Sequence, residues 1–329
     1  MLNFKNKGIP IARVTGTKNK KNILFLDVDA VKKQTVEKAT NNNTISSFER
    51  PTCPYCNKSY YSPWELRKHV AKSCKVKQMK DYAALVMNKE KDEKEEKEII
   101  SKEKTIREIN GKEIILPEDQ QFIPIPNMER RELLYITGCQ GSGKTSYATM
   151  YLKEFNRMFK KRPTFLFSRI DEDKSLEGIK NLKQIKLDDD LLEEPLHLDE
   201  LRGSCCLFDD IENSQNKTMQ KYLEDLRDEV LQNGRDHTDN KKNEIYIICT
   251  NHLSSDFIKT RKIINECTSI TLFPSSGSFY SINRILKVYC GLSKKEIDRI
   301  LSLPSRWVTI YRHFPPYILY ERGCYLLSK

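Results

Sequence analysis

Gly138-Cys139-Gln140-Gly141-Ser142-Gly143-Lys144-Thr145 fits the pattern G-x-x-x-x-G-K-[S/T] without a mismatch. Glycine lets a backbone turn tightly and come close to phosphate oxygens. The loop amides then point inward at the start of the following helix, where the helix dipole favours anions. Lys144 is placed to contact the β- and γ-phosphates of ATP, and Thr145 to offer its hydroxyl to Mg2+. The flanks agree with this reading. Residues 131–137 (RELLYIT) have the composition of a strand, and residues 145–161 that of a helix with Met150, Tyr151, Leu152 and Phe155 as its apolar coverage.

Further along, residues 162–169 (RPTFLFSR), 203–208 (GSCCLF), 244–250 (EIYIICT) and 269–274 (SITLFP) read as strands. Their near-continuous apolar runs suit a parallel sheet covered on both faces. Residues 216–233 carry Met219, Tyr222, Leu223, Leu226, Val230 and Leu231 at helical spacing, with Gly234 placed to end the helix. This alternation over residues 107–329 predicts an α/β P-loop domain with a mostly parallel sheet.

The apolar run 203–208 leads into Asp209-Asp210, about 65 residues after the phosphate loop. At the end of a strand one carboxylate can hold Mg2+ and the next can polarise a water. Asp209 is assigned to the metal and Asp210 to the base, with Glu212 as a rival base. Asn251, in Thr250-Asn251-His252 at the end of a strand, suits a group facing the γ-phosphate, or a plain turn. Arg235, just past Gly234, suits an arginine that stabilises phosphoryl transfer in a neighbouring subunit, or a partner of the helix dipole.

Residues 51–78 contain Cys53-x2-Cys56-x12-His69-x4-Cys74. Three thiolates and an imidazole make a closed tetrahedral Zn2+ site. Tyr60 and Leu66 fall where a ββα finger puts its small core, and Ser62 with Glu65 makes a capping box. So short a module needs the metal in order to fold. Both DNA contact and protein docking are open to it. Residues 79–106 are rich in Lys and Glu and read as a charged helical linker. Residues 1–50 read as a basic N-terminal arm, either a small hairpin or a poorly ordered segment.

The net charge of +11 is uneven. Residues 1–80 carry 17 Lys and Arg against 5 Asp and Glu, while residues 81–329 carry 40 against 41. The basic end points to an anionic polymer. A DNA grip by the rest of the chain requires a local concentration of positive charge. No run of apolar residues is long enough to cross a bilayer, and the start MLNFKNKGIP has no secretory signal pattern. With ten cysteines mostly inside apolar stretches, an intracellular protein is expected.

The blocks GCQGSGKTSY, FLFSR, CCLFDDIEN, LQNGRDH and IYIICTNH, continuing into TRKIINE, TLFPSSGS and PSRWVTIY, resemble the FtsK–HerA branch of P-loop ATPases. The likeness is to the genome-packaging ATPases of large DNA viruses and virophages in particular. It implies a RecA-like fold, a homo-oligomeric ring, translocation of double-stranded DNA, and a place in the host cytoplasm, a viral factory or the virion. It also implies Lys144 and Thr145 for nucleotide, Asp209 and Asp210 for Mg2+ and hydrolysis, and Arg235 as a finger in trans. The sequence departs from the pattern with Asp210 where many relatives of the wider superfamily have Glu, and with Asn251 where Gln is frequent. The finger lies outside the resemblance and suits either DNA or a capsid or packaging protein. Two other readings fit the same motifs: a DNA-dependent ATPase or helicase of replication or repair, and a nucleotide-switched adaptor.

Overall fold

In the computed structural model the apolar runs around the phosphate-loop pattern become neighbouring strands. The structure describes residues 1–16, 23–32, 69, 106–170, 174–213, 216–236, 241–252 and 257–327. The chain divides into two compact units, Met1–Val31 with Arg107–Lys329, and Lys32–Ile106. Cys53, Cys56 and Cys74, and the linker apart from Ile106, lie outside the described residues; of the second unit only Lys32, His69 and Ile106 are described.

Strands β1 (Leu2–Asn3), β2 (Ile9–Thr15) and β3 (Ile23–Leu26) open the first unit. After the second unit come β4 (Arg107–Ile109), β5 (Glu113–Ile115) and β6 (Gln121–Pro124). β6 pairs with β2, giving an antiparallel sheet of order β1-β3-β2-β6. Residues 1–31 are thus built into the larger unit, although the sequence sets residues 1–50 apart as an arm. The reason is packing: Leu2, Ile11, Val14, Leu24 and Leu26 are buried, and each such side chain contributes about 1.5–3 kcal/mol. Arg13 adds an ion pair with the buried Glu154, its Nε donating to Oε1 at 3.2 Å.

The α/β part supplies β7 (Leu133–Thr137), α1 (Lys144–Met158), β8 (Thr164–Ser168), β9 (Leu182–Gln184), β10 (Cys205–Asp209), α2 (Lys217–Asn233), β11 (Tyr246–Asn251), α3 (Phe257–Glu266) and β12 (Ser269–Leu272). These six strands are parallel, in the order β12-β7-β11-β10-β8-β9. The phosphate-loop strand β7 therefore lies between β12 and β11, inside the sheet. Beyond β12 the sheet continues through antiparallel β13 (Val308–Tyr311), β14 (Tyr317–Tyr320) and β15 (Gly323–Leu326) to β5 and β4. The expected α/β P-loop fold is present. The antiparallel flank was not expected, because its strands are short and separated by turns rather than helices.

Helix α2 buries Met219, Leu223, Leu226, Val230 and Leu231 of the apolar stripe. Asn216 caps its start, its side chain accepting from the Thr218 and Met219 amides. Its end differs from the sequence expectation. Gly234 has φ −69°, so it is not a left-handed cap. A Cβ there would lie 2.5 Å from Arg131 Nη2. Arg131 donates to the Leu231 carbonyl at 3.2 Å and also to Val230 O and Ile245 O, satisfying the carbonyls that end the helix. Burial lowers its pKa to about 10.

Candidate active site

The phosphate loop is formed by the chain's own glycines. Gly141 and Gly143 have φ +74° and +105°, the left-handed region that side chains disfavour. Gly138 has another role: a Cβ there would meet Ser142 Oγ at 2.5 Å and the Phe273 ring at 2.8 Å. Helix α1 begins at Gly143 with no side-chain cap and no acid in its first turn. A helix start of this kind leaves backbone N–H groups without an intrahelical acceptor. Lys144 is buried, and its Nζ donates to the carbonyls of Gly138 (3.2 Å) and Cys139 (3.3 Å). Cys139, Gln140 and Gly141 are exposed, whereas Ser142 and Thr145 are half-buried. Ser142 Oγ is shielded from solvent with no hydrogen-bond partner among the described residues.

Strand register brings the acidic pair to the same edge. Thr137 of β7 is opposite Asn251 of β11, and Thr250 of β11 is opposite Asp209 of β10. The Gly138 amide donates to the Asn251 carbonyl at 3.3 Å, joining the loop to the end of β11. Asp209 is buried and accepts from the Thr250 hydroxyl. Asp210 has φ +46°, a strained value for a residue with a side chain. Its Oδ2 is 3.4 Å from His252 Nε2, and its Oδ1 is buried with no partner among the described residues. Oxygen donors such as Thr145 and Asp209 match Mg2+, a hard cation.

Glu212, the rival base, is occupied by a buried ion pair. Arg227 Nη1 donates to it at 2.9 Å, and both side chains are under one-tenth exposed. Arg227 also holds Asp228 at 2.8 Å.

Arg235 is placed far from its own phosphate loop. Ile245, just before β11, donates its amide to Gly234 O at 2.9 Å, so α2 ends at the amino edge of the strands. The phosphate loop follows the carboxyl end of β7, which is parallel to β11. Helix α2 has 17 residues, about 26 Å of rise. Arg235 is exposed.

Sequence reasoning missed Thr250, His252 and Phe273. The signal was present for Thr250, a hydroxyl ending an otherwise apolar strand. Nothing in the sequence shows that Phe273 covers Gly138 or that His252 faces Asp210, since both depend on neighbouring strands. For the Zn2+ set, His69 alone is described; three of the four ligands lie outside the described residues. Among the described residues no helix is long and apolar enough to cross a membrane.

No family model matches the chain. Genome packaging NTPase B204 from Sulfolobus turreted icosahedral virus 2, solved with AMP, aligns at 10% identity over 58% of this chain and 97% of its own, with a TM-score of 0.39. EssC (ATPases 2 and 3) from Geobacillus thermodenitrificans aligns at 12% identity over 63% of this chain and 41% of its own, with a TM-score of 0.34. "Uncharacterized protein V3" of Sputnik virophage is 39% identical over 214 residues, which span 64% of this chain and 83% of V3. With its P-loop fold and that extent of identity, the chain belongs to the same protein family as V3 of Sputnik virophage.

Proposed function

We propose that this chain is an ATP-hydrolysing DNA translocase that packages a viral double-stranded DNA genome into a capsid in an infected cell. The observation that carries the reading is the convergence, at one sheet edge, of an uncapped phosphate loop and the Asp209–Asp210 pair. Lys144 releases two loop carbonyls and binds the β- and γ-phosphates, trading neutral hydrogen bonds for charge-assisted ones. The amides at the start of α1, with those of Gly138 to Gly143, hold the remaining phosphate oxygens. Thr145 and Asp209 hold Mg2+, which when bound neutralises phosphate charge. Asp210 accepts the proton of the attacking water. Asn251 lies beside the loop where it can orient that water, and Arg235 serves the site of the neighbouring subunit. This last role requires a homo-oligomeric ring. Cys53, Cys56, His69 and Cys74 hold Zn2+, and their finger grips DNA or joins the motor to a capsid or packaging protein.

The test is ATP hydrolysis by wild type and Lys144→Ala, with and without linear double-stranded DNA, over a salt series. Stimulation by DNA that falls with salt and is lost in the variant is expected. Hydrolysis indifferent to DNA overturns the translocase reading in favour of a nucleotide-switched adaptor. Strand separation on forked DNA favours a helicase.

A further inference from the structure

On the outer face of α1 an open cleft of 490 Å3 is lined by Lys153, Arg157, Lys160 and Lys180, with Asn156, Asn181 and Gly178 completing its wall. Lys153 and Arg157 are four residues apart on one face of α1, and Lys160 follows in the turn just after the helix ends at Met158. Lys180 faces them from the segment that leads into β9.

The frame of the cleft is fixed and its charges are exposed. Asn156 donates to the Lys180 carbonyl, and Asn181 Nδ2 donates to the Lys160 carbonyl at 3.1 Å. Arg157 is steadied by Glu154 at 3.3 Å. Lys153, Lys160 and Lys180 are exposed. No acid lines the cleft among the described residues. Residues 107–329 carry 34 Lys and Arg against 33 Asp and Glu, so within that near-neutral stretch the cleft is a local concentration of cations of the kind a DNA grip requires.

We propose that the cleft walled by Lys153, Arg157, Lys160 and Lys180 seats the phosphate backbone of duplex DNA. The assignment rests on the DNA-translocase reading above and gives it a contact surface. Two features favour backbone contact over base reading. The wall presents ammonium, guanidinium and amide donors, the groups that hold phosphate. Among the described residues it has no aromatic ring on which an unpaired base would stack. Contact of this kind is independent of sequence, as a motor moving along any duplex requires.

The test uses the full chain and a labelled linear duplex, with affinity followed across a salt series. The triple variant Lys153→Gln/Lys160→Gln/Lys180→Gln is compared with wild type and with Lys241→Gln/Lys294→Gln/Lys295→Gln, which removes equal charge from exposed lysines elsewhere. Thermal melting checks that each is folded, and the three single variants serve if the triple one is not. The cleft variant is expected to bind on the order of tenfold or more weakly. Its slope of log affinity against log salt should be shallower by roughly 2 to 3, near 0.9 for each lost phosphate contact. The control triple variant should keep the wild-type slope. Wild-type binding with the same slope in the cleft variant overturns the cleft and leaves the translocase reading standing. Equal losses in both triple variants also overturn the cleft, assigning the effect to overall charge. Absence of duplex binding by wild type overturns both.

Discussion

The hydroxyl of Thr250, at the end of β11, donates to Asp209 on the neighbouring strand and accepts the backbone N–H of Asp210 at 3.2 Å. One small side chain thus fixes both carboxylates of the acidic pair, one through its oxygen and the other through its amide. Thr250→Val keeps the shape and removes both hydrogen bonds. A buried group left without its partner costs about 1–3 kcal/mol. We expect that loss in urea unfolding, with hydrolysis reduced at least tenfold and nucleotide binding nearly unchanged. Equal activity in the variant would remove Thr250 from the catalytic arrangement.

Among the described residues Arg227 is one of the largest fully buried side chains, held between Glu212 and Asp228. Removing one partner of a buried ion pair costs about 3–5 kcal/mol, because the other charge stays buried. Arg227→Met should lower stability by that amount, and adding Glu212→Leu should recover most of it. Denaturant midpoints of the two variants measure this directly.

Glu132 is fully buried, and desolvation raises its pKa to about 7 against the lowering effect of hydrogen bonds from Tyr151 and the Asn127 amide. The folded state then binds a proton that the unfolded state has released between the ordinary carboxylate range and about 7. Stability from this group is fully present below its unfolded pKa and is lost as pH rises through the folded one. Glu132→Gln should flatten the stability profile across that window. At pH above it the variant should be the more stable, by an amount on the order of 3 kcal/mol. A slope unchanged by the substitution would contradict the assignment.

Arg235 is exposed at the sheet edge opposite its own phosphate loop. If it completes a neighbour's site, Arg235→Ala should bind nucleotide and hydrolyse it on the order of a thousandfold more slowly. Mixing it with Lys144→Ala, also inactive alone, should restore part of the activity. In the mixed assembly an intact phosphate loop meets an intact arginine. No recovery in mixed assemblies would count against a role in trans.

The phosphate loop was legible from residues alone because its chemistry is local. Gly141, Gly143 and Lys144 act through backbone angles and through the first turn of the helix that they begin. The parallel strands were legible for a related reason, since residues such as those of β10 and β11 are buried on both faces and carry few polar interruptions. Gly234 shows where that reading fails. Its place at the end of α2 was correct, but a Cβ there is met at 2.5 Å by both the Val230 carbonyl oxygen and Arg131 Nη2, and Arg131 stands 103 positions earlier in the chain.

By itself the sequence determined the α/β class, the phosphate loop, the Asp209–Asp210 pair and the helix that leads to Arg235. Each is written in contiguous residues whose periodicity and turn chemistry act over a few positions. Only the tertiary structure decided that Thr250 fixes the acidic pair, that Glu212 is occupied by Arg227, and that residues 1–31 pack with the α/β unit. It also decided that Arg235 lies at the strand edge opposite the phosphate-loop pattern and that four cations share one cleft. These are pairings across strands and along helices, set by register and burial, and such contacts are not encoded at any single position of the chain.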